Sequence, residues 1–401
     1  MAAQEYQAPE SVSRLQQWAL SIGGVALLVS ILGAMKSPDL FYQSYLMSFL
    51  LILGLTVGSL GLVMLQHLTG GDWGVIIRRP LESASRTLPL MAIAFLPIAL
   101  FGMHHLYSGH GDEKGWLNAP STGEGALSDF QKSYLTANGF YIRSAIYFAV
   151  WLALMFIFNI LSKQQDANPE DRSLRLRFKM IAGPGIILYV FMMTFAAIDW
   201  AMSLSPHWAS TIYGFLFVAG QLISSMAFMI AVVVLLARSE PFASVLQKRH
   251  LHDLGKLLLA FVMLWAYFDF SQLLIIWSGN QPEEISFYRT RLYGGWGVVA
   301  VIVLVFHFFV PFFLLLSQDV KRNAKVLPKI AMWLIFMRLV DLYWMTRPEF
   351  TSRAMPTWLD IVLPLALGGL WLGFFAFNLK QCPLLPLGDP KLAEAIEHHE
   401  H

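Results

Sequence analysis

Cysteine is all but missing: Cys382 is the only one in 401 residues. One thiol cannot close an internal disulfide, hold an iron–sulfur cluster or attach a c-type haem through a C-x-x-C-H motif. If electrons pass through an assembly containing this chain, their covalently held carriers belong to other chains. Charge is scarce as well. Lys, Arg, Asp and Glu supply 13% of the residues, against roughly 25% in a soluble domain. The 28 basic and 26 acidic residues nearly cancel, and no basic stripe of the nucleic-acid-binding kind stands out. The residues up to Ser13 lack the basic n-region of a secretory signal, so Trp18 to Met35 is read as a retained anchor helix. No internal repeat is visible, and no Gly/Pro breaks recur at matched positions of two halves, as they do in many secondary transporters.

What the chain has is apolar length. Hydrophobic residues make up 56% and the mean hydropathy is +0.56. A helical span needs about 20 apolar residues to cross ~30 Å of hydrocarbon. Ten spans are expected, near 18–35, 44–67, 88–106, 140–162, 180–202, 210–237, 255–278, 292–317, 326–345 and 359–379. The breaks between them carry Lys36-Ser-Pro38, Gly70-Gly71, Pro169, Ser205-Pro206, Gly279-Asn280 and Arg347-Pro348. The fold class that follows is an all-α polytopic membrane protein in a single domain, residues 1–401. Loops on the side of the N-terminus hold seventeen Lys and Arg, and the opposite loops hold seven. By the positive-inside rule both termini should be cytoplasmic.

Charges inside hydrocarbon cost roughly 2.5–3.5 kcal/mol each on insertion scales, so each needs a reason. Lys256 and Lys329 sit near span ends, where their stems can snorkel to the headgroups. Asp199 ends span five, Asp269 lies deep in span seven, and Arg338 and Asp341 lie three apart on one face of span nine. One reading is an internal ion pair of Arg338 with Asp341 or with a neighbouring carboxylate, and a wet interfacial Asp199. The other is a proton relay, or a polar lining for a quinone headgroup to which His207, Ser271 and Gln272 would contribute. His307, deep in span eight, is either a satisfied packing residue or a relay member. Trp18, Trp200, Trp208, Trp277 and Trp344 fall at span ends, where amphipathic rings anchor in the headgroup region.

Two stretches carry a resemblance. One is Asp199-Trp-Ala-Met-Ser-Leu-Ser-Pro-His-Trp-Ala-Ser-Thr-Ile-Tyr213-Gly. The other frames span seven, with His252-Asp253-Leu-Gly-Lys256 before it and Phe270-Ser-Gln272, Ile276-Trp277 and Pro282-Glu-Glu284 after. From about Gly70 to Pro390 the chain resembles the second NrfD-like membrane subunit of bacterial alternative complex III, a quinol:cytochrome c oxidoreductase. The resemblance implies a ten-helix fold in which spans two to five and six to nine form two four-helix bundles, with two peripheral helices. It implies a non-catalytic subunit of the bacterial inner membrane that binds no cofactor itself, apart from contact with a quinone. Haem c and iron–sulfur clusters would reside in partners: an iron–sulfur protein and multihaem and monohaem cytochrome c subunits. A sister NrfD-like subunit, lipids and a terminal oxidase complete the expected company. The suggested roles are structural support and a proton path. Asp199 and Asp341 fit the family pattern better than Asp269, which departs from it. The rival class is a stand-alone proton-coupled secondary transporter using Asp269, Arg338 and Asp341 as its coupling site.

Overall fold

A computed structural model describes residues 6–110, 113–123, 125–171, 173–389 and 392. Among them, nine helices are long and apolar enough to cross a membrane: α1 (Glu10–Lys36), α2 (Pro38–Thr69), α3 (Asp72–Tyr107), α4 (Ala137–Ala167), α5 (Ser173–Leu204), α6 (Tyr213–Leu236), α7 (Lys248–Gly279), α8 (Trp296–Leu316) and α10 (Leu359–Leu379). The remaining expected span is present as α9 (Leu327–Thr346), 20 residues long. It is set apart by its charge, since Lys329, Arg338 and Asp341 all lie on it. The chain is thus an all-α polytopic membrane protein. Its one β feature among the described residues is a two-residue pairing of Gly109–His110 with Glu113–Lys114.

Local chemistry sets the boundaries. The N–H of Ser37 bonds the carbonyl of Gly33 to close α1, and Pro38, with no N–H to leave unsatisfied, opens α2. Gly70 and Gly71 have φ of 71° and 101°, a backbone that side chains rarely adopt, and they stop α2. The stretch 68–87, expected as a loop, is instead largely helical: Asp72–Ser85 forms the first part of α3. In α8 a π-turn spans Leu304–Phe309. Pro311, lacking an N–H, cannot serve the carbonyl of His307 four residues back. A second π-turn, Ile98–Gly102, follows Pro97 in α3.

Helices α2 to α5 pack on one another as a first four-helix bundle, and α6 to α9 as a second. The bundles meet along α2 and α6, with α5 against α6 and α9 against α2. The central part of α2 is buried on every side, as a helix apolar all round must be. Its approach to α6 is close because Gly58 has no side chain: a Cβ there would lie 2.6 Å from the carbonyl oxygen of Gln221. Ser225 seals the contact by donating to the carbonyl of Leu55 at 3.0 Å. The peripheral helices α1 and α10 pair through glycine in the same way, Gly23 against Gly369.

Candidate functional site

The interior of the second bundle collects most of the ionisable residues singled out in the sequence. Arg338 and Asp341, three apart on α9, form an ion pair, each 2% exposed. The guanidinium occupies a notch in α6. A Cβ on Gly220 would stand 2.2 Å from its Cζ, so only glycine leaves it room. The Phe217 ring lies 5.5 Å from the same carbon, within cation–π range.

His307 enters from the π-turn of α8. It is fully buried, with its ring centroid 4.4 Å from that of Trp265 on α7. Neither ring nitrogen has a hydrogen-bond partner among the described residues, while the Trp265 side chain hydrogen-bonds the Asp341 carboxylate of α9. The packing expected of His307 is there, and the satisfaction is not. One helical turn beyond Trp265, Asp269 is half-buried and has no ion-pair or hydrogen-bond partner among the described residues. The charge it feels is that of Asp341. Three residues on, Gln272 is buried; its Oε1 accepts from Ser210 at 3.0 Å and its Nε2 donates to the Tyr288 hydroxyl at 3.4 Å. Ser271 is half-buried beside it, and His207 is exposed in the α5–α6 connection. His207 makes no hydrogen bond or ring contact among the described residues, so it does not join Gln272.

Aromatic rings and an arginine cap this end of the bundle. Trp208 stacks on Phe287 at 3.9 Å, and the Arg291 guanidinium lies over the same Phe287 ring, 3.5 Å from its centroid. Arg291 also donates to the carbonyl of Met345 at 2.7 Å and pairs with Glu349. The Tyr288 hydroxyl, on the short helix Pro282–Leu292, is pushed well above its ordinary pKa, by burial first and by the nearby Asp269 second. Trp18 and Trp277 are exposed, as headgroup anchors should be. Trp200, Trp208 and Trp344 are buried instead, because they pack inside the bundles.

Asp199 belongs to the first bundle and is neither wet nor open. Arg143 of α4 donates to both of its oxygens at 2.9 Å, and the Tyr147 hydroxyl donates at 2.6 Å. The other end of Arg143 is held by the carbonyl of Tyr134 at 2.9 Å, with the Tyr134 ring 3.8 Å from Cζ. Burial, then the Asp199 charge, pushes the Tyr134 hydroxyl up to about 12. Arg143 was recognisable in the sequence as an intramembrane charge, yet its partner lies 56 residues away. Also missed were two other buried pairs that fix the helix ends, Arg291 with Glu349 and Arg347 with Asp360 at 3.4 Å.

The segment Asp199 to Gly214 thus runs from the clamped carboxylate of one bundle to the Ser210–Gln272 contact of the other. Among the described residues no group of three His, Cys, Asp or Glu is placed to hold a metal ion. No family model matches the chain, and no curated protein matches it either.

Proposed function

We propose that the chain is an integral membrane subunit of a respiratory quinol-oxidising complex, and that it moves protons through its second bundle while electrons travel in partner subunits. The observation that carries this is the set of polar groups in the bundle interior: His307, whose ring nitrogens have no partner among the described residues, the Arg338–Asp341 pair and Asp269, leading to Gln272. An unmade hydrogen bond on a buried polar group costs about 1–3 kcal/mol. A purely structural core would therefore replace such groups with apolar ones. Ordered water bridging them satisfies the nitrogens and oxygens and joins them into a chain along which a proton can hop. Arg338 stays cationic throughout, so it holds Asp341 ready to release a proton rather than carrying one itself. The Asp199–Gly214 stretch supports the respiratory assignment through its resemblance, and the termini lie on the cytoplasmic side by their basic loops.

The test is a mild-detergent pull-down of the full chain with a visible spectrum and mass spectrometry of its companions. Reduced c-type haem bands with an iron–sulfur partner are the expected result. A colourless, solitary protein would overturn the assignment. The π-turns of α3 and α8 would then favour the proton-coupled transporter, whose broken helices they would supply.

A further inference from the structure

The end of the first bundle nearest the termini is packed with charge. Arg78 and Arg79 of α3 are each 1% exposed and share Glu82, at 3.0 Å and 2.7 Å. Ser162 of α4 ties the three together, donating to Glu82 at 2.7 Å and accepting from Arg79 at 2.8 Å. Asp166, at the end of α4, pairs with Arg79. Arg86 bonds Asn159 at 2.5 Å. Two donors stay unsatisfied among the described residues, Nε of Arg79 and Nη2 of Arg86.

Three guanidinium groups thus face two carboxylates from the helices themselves. The third carboxylate comes from a strap that follows α10. Leu384 and Leu385 bury their side chains, and the Leu384 N–H bonds the carbonyl of Tyr6 at 2.8 Å, so the strap is anchored there. Its tip reaches Arg78, with Oδ2 of Asp389 3.0 Å from Nη1. The approach depends on Gly388: a Cβ there would stand 2.1 Å from the carbonyl oxygen of Gln165.

We infer that the Arg78–Arg79 seat is a binding site for a phosphate-type anion, with Asp389 as its built-in occupant and the strap tip as a displaceable plug. Carboxylate and phosphate present the same paired acceptors to a guanidinium fork. With the tip lifted, Arg78 keeps Glu82 but its Nη1 loses its carboxylate, and three buried guanidinium groups are left with two carboxylates, a deficit that another anion makes good. The idle Nε–H of Arg79 is a donor of the same seat, left for an anion with more acceptor oxygens than Asp389 to engage. The seat lies at the start of α3 and the end of α4, and basic pockets between helix ends are a setting that holds anionic headgroups. Lipid headgroup and free phosphate share this chemistry.

The experiment compares the full chain with Asp389→Asn, which keeps a hydrogen-bond acceptor but not the charge, and with Gly388→Ala, which lifts the tip without altering charge. Each is delipidated in mild detergent and titrated with short-chain phosphatidylglycerol, with phosphatidylcholine or with inorganic phosphate. The thermal midpoint and native mass spectra are read. Both variants should gain a larger anion-dependent midpoint shift than the parent and retain the anion in the mass spectrum. Adding Arg78→Gln to Asp389→Asn should abolish the gain. Response to phosphatidylglycerol alone identifies a lipid headgroup, and equal response to inorganic phosphate identifies a free anion. Variants that respond no more than the parent, or a gain that survives Arg78→Gln, would overturn the site. If Gly388→Ala does not fold, Asp389→Asn decides alone.

Discussion

Each bundle holds a buried aspartate near the far end of its fourth helix, and the two are treated in opposite ways. Asp199 of α5 is gripped by an arginine from a different helix through both oxygens, and by a tyrosine as well. Asp341 of α9 has its arginine on its own helix, one turn away at Arg338, and a hydrogen bond from Trp265 of α7. Beside Asp341, among the described residues, His307 is buried with neither ring nitrogen bonded, and Asp269 has no cation next to it. A carboxylate clamped across helices fixes their spacing. The Asp341 carboxylate, with its arginine on the same helix and the unbonded His307 nitrogens and Asp269 in the same bundle, is the one the proposed relay would use.

The largest effect should come from breaking the clamp. Asp199→Ala orphans two guanidinium N–H donors and the Tyr147 hydroxyl at once. The destabilisation should be about 3 kcal/mol, at the low end for a broken buried pair because Arg143 keeps some contact with solvent. Thermal unfolding in detergent, together with the yield of assembled protein, reads this. A loss below that of any second-bundle variant would undo the contrast between the bundles.

Next in size is Gly220→Ala. The added methyl collides with the Arg338 guanidinium, and overpacking of this kind costs roughly 1–3 kcal/mol. The same methyl pushes Arg338 away from Asp341, so proton movement per electron should fall along with stability. Normal proton movement in a destabilised protein would show that the notch serves packing alone.

Much of this contrast was legible in the sequence, and the missing part has a physical cause. The ten helices follow from apolar length, and Arg338 with Asp341 from helical spacing, because both are local signals. Arg143 with Asp199 and Arg347 with Asp360 are contacts across helices, and nothing in a single sequence ties one end to the other. Arg78, Arg79 and Glu82 were hidden differently. Their charge marks them as loop residues of the basic side, but mutual pairing on Asp72–Ser85 lets all three be buried. Trp208 and Trp344 show the same limit: position at a span end does not reveal that Phe287 lies between them.

A smaller change in stability is expected when both members of the open pair are removed together. Arg338→Met with Asp341→Leu leaves no charge behind and frees only the Trp265 hydrogen bond to Asp341, so stability should fall by about 1 kcal/mol. Proton movement per electron should nonetheless drop. Full stoichiometry in the double variant would end the relay reading while leaving the clamp argument intact.

The smallest stability change, and the sharpest functional one, belongs to His307. Both ring nitrogens are buried without a partner among the described residues, so in a working relay they must be met by water. His307→Phe keeps the packing on Trp265 and removes every hydrogen-bonding atom, whereas His307→Gln keeps an acceptor and a donor. Both should stay within about 1 kcal/mol of the parent, because only one or two water bonds change hands. The glutamine variant should retain part of the proton movement and the phenylalanine variant should lose it. If the phenylalanine variant moves protons at the parental rate, the path begins at Arg338–Asp341 and leaves α8 out. The contrast between the bundles would then rest on Asp269 and Asp341 alone.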